Sequence, residues 1–280
     1  MTVPIFTHDR QMTRYPFGRK TEHRRRFDQH SVDYFKRVEA LGTSISVDER
    51  TNISAFIRGL KALGGWESLV DAWTLRSTQN VGTGSTCVGL KGNNGTLMNG
   101  ITWGVNGMGT VNTGEVRTAP LLNPIDSTVW SLFACYNNAL AANTVAFSVD
   151  DAVATSFFAF QGNWFQSAKA GFALANTFGP WVSTGLFSAP VYAAGGFKTN
   201  QFLLTPGGAA AVGRWNGNVS FAETIGDSTF PLINSPGLRV RMAGADASGH
   251  VGTFYAIWKS AVPNLHSLFR DTIGKGLSLP

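Results

Sequence analysis

The chain is short of cysteine, of acidic residues and of long apolar runs, and each shortage removes a class of protein. Cys87 and Cys135 are its only cysteines. Two thiols cannot build the disulfide framework of a small secreted domain, nor a tetrahedral metal site without suitably spaced histidines. Both sit in apolar, strand-like settings, Thr-Cys-Val and Phe-Ala-Cys-Tyr, and read as buried free thiols. The histidines His8, His23, His30, His250 and His266 show no metal-binding i, i+4 pair. No apolar run reaches the roughly 18 residues that a membrane-spanning helix needs. The first residues, Met-Thr-Val-Pro-Ile-Phe-Thr-His, lack the charged-then-apolar order of a secretory signal, so synthesis in and retention by the cytosol is the expectation.

The scarcity of acids bears on catalysis. Between residues 81 and 220 the only anions are Glu115, Asp126, Asp150 and Asp151, and the only cations are Lys91, Arg117, Lys169, Lys198 and Arg214. Sugar hydrolysis on two carboxylates needs the pair close together. No strand-like run carries one. Asp150 and Asp151 are adjacent, so they point to opposite faces of a strand or sit in a turn. No Ser–His–acid order stands out. Gly82-Thr-Gly84 and the glycines from Gly104 to Gly109 are not followed by a Lys-Ser/Thr helix start, and read as turns rather than phosphate loops. Loop acids are too few to assign a calcium site. The chain is therefore not read as an enzyme; no catalytic residue, metal ligand or cofactor is assigned.

What is present is aromatic and apolar. Twenty Phe, eight Trp and a hydrophobic content of 43% supply a sizeable core for 280 residues. The formal charge is +6, and its distribution matters more than its size. Cations crowd the first 37 residues, including Arg24, Arg25 and Arg26, with Phe6, Tyr15, Phe17 and Phe27 between them. From Met1 to about Gln29 the sequence has no clean period and carries Pro4, Pro16 and Gly18. It reads as an extended arm whose aromatics are buried against a partner, with Phe6, Phe17, Arg24, Arg25 and Arg26 as docking residues. Glu22, Asp28 and Asp33 dilute the basic run, which favours an acidic protein surface over nucleic acid as the partner. The charge-poor body points either to contacts with neighbouring subunits, hence a homo-oligomer, or to an unusually neutral polar surface.

Residues 31–41 have the spacing of a short helix, with Val32, Phe35 and Val38 on one face. Ser46-Val-Asp-Glu49 is a capping box, and Ile53, Phe56, Ile57, Leu60 and Leu63 follow at helical spacing until Gly64-Gly65 ends the helix. From Ser85 onward short apolar runs alternate with turn residues. They lie at 127–136, 144–149, 156–160, 171–175, 201–204, 210–215, 238–242 and 254–258. This spacing implies an antiparallel sandwich or barrel. Asn216-Gly217 is the best hairpin signal, because both positions of a type I′ turn take positive φ.

One succession is more specific. The capped helix is followed by Trp66-Glu-Ser-Leu-Val-Asp-Ala-Trp73, a Thr/Ser/Gly-rich loop, and Leu90-Lys-Gly-Asn-Asn-Gly-Thr-Leu-Met-Asn-Gly-Ile-Thr-Trp-Gly104. It resembles the lead-in to the concanavalin A-like, laminin-G-like jelly-roll domains of tailed-phage and prophage virion proteins. Val251-Gly-Thr-Phe-Tyr-Ala-Ile-Trp-Lys259 looks like the last core strand of that fold, and the segment from Leu265 to Pro280 like its closing helix and tail. The resemblance covers both ends of the domain and is loose between about Glu115 and Ala210. It implies an all-β, concanavalin A-like jelly-roll sandwich preceded by an N-terminal extended arm and short helices. The division would be a basic anchoring arm and short helix at 1–45, a helical lead-in at 46–80, and the jelly roll with its short C-terminal helix at 81–280.

The function implied is that of a spike, fibre or decoration subunit of a phage or phage-like virion. It would be made in the bacterial cytoplasm, be anchored to other virion proteins by its arm, and present the jelly roll to a cell-surface polysaccharide for host attachment. The competing reading is a purely structural head or tail component that binds no ligand. Loop aromatics are the candidate glycan contacts, because a Trp ring stacks on the apolar face of a sugar while a neighbouring amide fixes its hydroxyls. Asn163-Trp164-Phe165-Gln166 has that grouping, so Asn163, Trp164 and Gln166 are the first choice and Trp181 the second. Trp103 and Trp215 also fall in loop-like positions.

Overall fold

The computed structural model describes residues 27–109, 114–122, 131–138, 144–150, 156–162, 170–176, 182–186, 196–204, 210–224, 237–242 and 250–280. Helix α1 spans Gln29–Glu39 and is capped by Asp28, whose carboxylate accepts from the His30 N–H at 2.9 Å. Helix α2 spans Val47–Ala62, and the Ser46 hydroxyl accepts from the Glu49 N–H at 3.3 Å, as the capping box predicts. Its buried stripe is Ile53, Phe56, Ile57 and Leu60. Leu63, read as the last member of that stripe, is exposed where the helix ends.

The rest is mostly antiparallel sheet. The strands are β1 (Leu69–Thr74), β2 (Thr86–Cys87), β3 (Gly95–Met98), β4 (Met108–Gly109), β5 (Glu115–Thr118), β6 (Ser131–Asn138), β7 (Thr144–Asp150), β8 (Ser156–Gly162), β9 (Ala170–Asn176), β10 (Val182–Leu186), β11 (Phe197–Leu204), β12 (Ala210–Trp215), β13 (Asn218–Thr224), β14 (Arg239–Met242) and β15 (His250–Trp258). Helix α3 (His266–Asp271) follows the last strand. A seven-stranded sheet runs β1-β15-β6-β11-β12-β13, with β4 also paired to β15, and an eight-stranded sheet runs β10-β9-β8-β7-β14-β5-β3-β2. Strand β15 of the first sheet touches β7 of the second. Each of the eight apolar runs marked in the sequence overlaps a strand. The Asn216-Gly217 turn joins β12 to β13 with φ of 45° and 84°, the left-handed pair that a type I′ turn requires.

Two of the sequence boundaries need correction. Residues 46–80 were expected to be a helical lead-in, yet they contain β1, an edge strand of the seven-stranded sheet paired with β15. Periodicity does not reveal it, because Leu69–Thr74 is buried at every position and so has no alternation. Residues 29–39 were grouped with the arm, and they belong to the core. Tyr34, Phe35 and Val38 share one apolar cluster with Phe56, Ile57 and Leu60 of α2, with Phe133, Cys135, Phe254, Ala256 and Trp258 of the sheet, and with Phe269 of α3. The Tyr34 hydroxyl donates to the Gln79 carbonyl at 2.7 Å and fixes α1 to the loop after β1.

The layering follows from these contacts. All three helices turn their buried side chains to one face of the seven-stranded sheet. The alternate residues of its strands, Trp73, Leu132, Tyr255 and Ile257, are buried on its opposite face. In the eight-stranded sheet Val116, Val149, Val240 and Met242 are fully buried, while their strand neighbours Arg117, Arg239 and Arg241 remain partly exposed. The outward face of the eight-stranded sheet is thus the sheet face that these helices leave uncovered. No described helix is long and apolar enough to cross a membrane.

Candidate functional site

The charged residues of the uncovered face come from three strands distant in sequence. In β5, Glu115-Val116-Arg117 alternates so that Val116 enters the core while Glu115 and Arg117 share the outward side. In β14, Arg239-Val240-Arg241-Met242 does the same. Pairing of the two strands sets Arg241 directly opposite Arg117. Like charges facing each other across a ladder repel. Glu115 offsets this: its Oε1 lies 2.7 Å from the Arg117 Nη2, and its Oε2 lies 2.6 Å from both the Nε and the Nη2 of Arg241. The Glu115 side chain is 3% exposed, so this pairing neutralises a carboxylate that would otherwise be costly to bury. Arg239 stands two residues before Arg241, on the same side, and its register partner is Asp150 at the end of β7. The Nε atoms of Arg117 and Arg239 are buried and have no hydrogen-bond partner.

The row of register partners through this pair is lined by small residues. Thr96 stands beside Arg117. Ser148, Ala159 and Ala173 continue from Arg241 across β7, β8 and β9.

Other polar clusters serve the fold. Asp71 is fully buried, and burial pushes its carboxyl from 3.8 up to about 6 even though it accepts from the backbone N–H groups of Lys91, Asn93 and Ala72 and from the Asn93 amide. A carboxyl titrating in that range is often a general base. Here three of the four donors come from the loop at 88–94 and the fourth is Ala72 of its own strand, so Asp71 is a latch for that loop. Arg76 donates to the carbonyls of Val105, Ile273 and Lys275 and lies 3.7 Å from Glu49, joining α2 to the C-terminal tail. His266 bridges Thr199 and the Pro280 carbonyl, and burial pushes its imidazole below the usual value. Cys87 and Cys135 are buried free thiols, raised by burial and therefore poor nucleophiles. Among the described residues no three His, Cys, Asp or Glu side chains gather as a metal site would require.

The glycan contacts expected from sequence, Asn163, Trp164, Gln166 and Trp181, lie outside the described residues, as do the arm residues Phe6, Phe17, Arg24, Arg25 and Arg26. Trp103 packs against the core cluster and donates to the Gly84 carbonyl at 3.1 Å, and Trp215, expected in a loop, is instead the last residue of β12. Asp150 ends a strand, and Asp151 lies outside the described residues. His30 belongs to α1 rather than to the arm, with its ring 4.8 Å from that of Trp66. The arginine cluster was missed. Its signal is legible in retrospect: Glu-Val-Arg and Arg-Val-Arg each place two charges on one side of a strand.

No protein-family model and no curated protein matches the chain. Solved structures do. The binding domain of botulinum neurotoxin DC in complex with rat synaptotagmin II aligns with a TM-score of 0.52 and 11% identity over 73% of this chain and 52% of that one. A structure of botulinum neurotoxin type C, whose cell entry is described as dependent upon interaction with two ganglioside molecules, aligns with a TM-score of 0.53 and 13% identity over 76% of this chain and 52% of that one. The sialidase of Trypanosoma rangeli, in complex with a difluorinated 2-keto-3-deoxy-nononic acid, aligns with a TM-score of 0.50 and 10% identity over 75% of this chain and 34% of that one. The chain thus spans about half the length of the neurotoxin structures it matches. At these identities the likeness is one of fold: a β-rich, two-sheet arrangement of antiparallel strands.

Proposed function

We propose that this chain is a non-catalytic carbohydrate-binding module, built as a concanavalin A-like jelly roll, that serves a phage or phage-like particle as an attachment subunit. The observation that carries the binding part is the outward side of β5 and β14, where Arg117, Arg239 and Arg241 stay partly exposed and no described helix packs. Helices bury the corresponding face of the other sheet. The likeness in fold to structures described with gangliosides and with a nononic acid supports saccharide as the ligand class. The particle setting rests on the sequence resemblance at the two ends of the domain, with the basic arm as anchor to other virion proteins.

A non-catalytic role is supported by the way the described carboxylates are engaged. Glu115 is held by two arginines, Glu49 by Arg76, Thr78 and Gln79, and Asp71 by four N–H donors. A glycosidase needs one carboxyl free to protonate the leaving oxygen and a second close by. The competing reading, a structural head or tail component without ligand, is favoured by the charge-poor stretch from 81 to 220, which suits subunit contacts.

Three measurements test the proposal. Purified full-length chain should bind host envelope polysaccharide in a pull-down and release no oligosaccharide from it. Electron microscopy with a labelled antibody should place the chain on the outside of intact particles. Absence of binding to any saccharide sinks the module reading. An internal location, or absence from particles, sinks the attachment reading. A truncated chain lacking residues 1–26 should fold yet fail to join the particle; normal incorporation would remove the arm as anchor.

A further inference from the structure

The body of this protein carries few charges, and its fold brings several of them together. Glu115 and Arg117 are among the few charged residues between 81 and 220, and both meet Arg241 on one sheet face, with Arg239 two residues before it. We infer that Arg117, Arg239 and Arg241 form a subsite for the carboxylate of an acidic sugar. The inference rests on the glycan-binding reading and narrows it to saccharides that carry a carboxylate, such as sialic or uronic acids.

Charge and geometry lead to this class. The guanidinium groups of Arg117 and Arg241 share the single carboxylate of Glu115, which leaves net positive charge for an anion. Glu115 acts as a positioning residue. By holding Arg241 at two nitrogens and Arg117 at one, it fixes both planes with about a third or less of each side chain exposed. A guanidinium held this way loses little further freedom on binding, and its forked donors match a carboxylate. The buried Nε atoms of Arg117 and Arg239 lack a partner, and an unsatisfied buried donor costs free energy that a bound anion would recover. The contrast with Arg76 is direct, because its Nε and Nη1 reach three backbone carbonyls.

The surroundings favour a sugar over a phosphate chain. A groove for nucleic acid follows the backbone with cation after cation. Here the row of register partners continues from the arginines into Thr96 on one side and Ser148, Ala159 and Ala173 on the other. None of these register positions carries a further cation beside the guanidinium groups. Strands β5, β7 and β14 are adjacent in the sheet, so the subsite stands on rigid structure and needs no loop closure.

The test uses the full chain, with saturation-transfer NMR and calorimetry as readouts. The probes are 3′-sialyllactose against lactose, and a hyaluronan tetrasaccharide against the same molecule with its carboxyls reduced to alcohols. Wild type should prefer the acidic member of at least one pair by roughly tenfold or more, the effect expected of hydrogen bonds to a charged group. The preference should weaken as salt rises. Arg239→Gln should abolish it without lowering the melting temperature, and Arg239→Lys, which keeps the charge and loses the fork, should fall between. Equal binding of acidic and reduced members overturns the inference while leaving the glycan-binding reading intact. Full preference retained by Arg239→Gln also overturns it. Binding of neither member of either pair, nor of host polysaccharide, removes both readings. Tight binding of a single-stranded oligothymidylate with no saccharide bound would mark the face as one for nucleic acid, and overturn both.

Discussion

Replacing Phe56 by alanine tests whether the helical layer is part of the fold or an attachment to it. Phe56 is fully buried on α2, and its ring stands edge-on to that of Phe254 of β15, with centroids 5.4 Å apart at 76°. Phe254 in turn lies 5.2 Å from Phe269 of α3 and 6.0 Å from Phe133 of β6. One ring therefore joins two helices and the central strands of a sheet. Truncation removes the apolar transfer term and leaves a cavity in a cluster whose other members are fixed by their own strands and helices. That costs about 3–5 kcal/mol, which in a domain of this size lowers the melting temperature by roughly 6–20 °C. Differential scanning calorimetry on the full chain reads this directly. Phe56→Leu should cost less, under about 1.5 kcal/mol. Combined with Phe254→Leu in a double-mutant cycle, it should reveal a coupling of about 0.5–1.5 kcal/mol from the edge-to-face pair. A single unfolding transition that moves as predicted supports one cooperative core. An unchanged melting temperature would refute the reasoning, and so would a new early transition in which only helical signal is lost.

Asp71 sets a pH dependence of defined sign. Its folded value of about 6 exceeds its ordinary 3.8, so between those values the native chain holds the extra proton. The group favours folding most below pH 4 and gives up about 3 kcal/mol of that as pH rises to 7. The urea-determined stability of wild type minus that of Asp71→Asn should fall by roughly 2 kcal/mol of this from pH 4 to pH 7; a flat difference would refute it. Arg76→Leu removes donors from the carbonyls of Val105, Ile273 and Lys275. It should cost roughly 2–4 kcal/mol and raise hydrogen exchange across residues 272–277, and unchanged protection there would show that the tail is held otherwise. Gly89→Ala places a Cβ 2.5 Å from both the Asn93 carbonyl oxygen and an Asp71 carboxylate oxygen. The overpacking should destabilise by about 1–3 kcal/mol in urea titration, and a neutral result would mean that the loop at 88–94 gives way without cost.

Local chemistry was legible in the sequence wherever one segment carries its own signal. The Ser46 cap, the stripe at Ile53, Phe56, Ile57 and Leu60, the buried cysteines and the left-handed Asn216-Gly217 turn each depend on residues a few positions apart, and each stands in the structure as the sequence predicts. Strand β1 was not legible, because a strand buried on both faces shows no alternation and is recognised only by its pairing with β15. The apolar side of α1 was legible from its spacing, but that it packs on the sheet rather than on a partner was decided by the tertiary structure. The arginine face lies furthest from local reading. Glu115 and Arg241 are 126 residues apart, and in the chain they are two separate alternating triplets, unremarkable for strands. Only sheet pairing brings β5 and β14 side by side, and only then do Glu115, Arg117, Arg239 and Arg241 fall on one face. Sequence specified which side of each strand is polar. The order of strands in the sheet, a non-local outcome of burying all the apolar sides at once, decided which polar sides became neighbours.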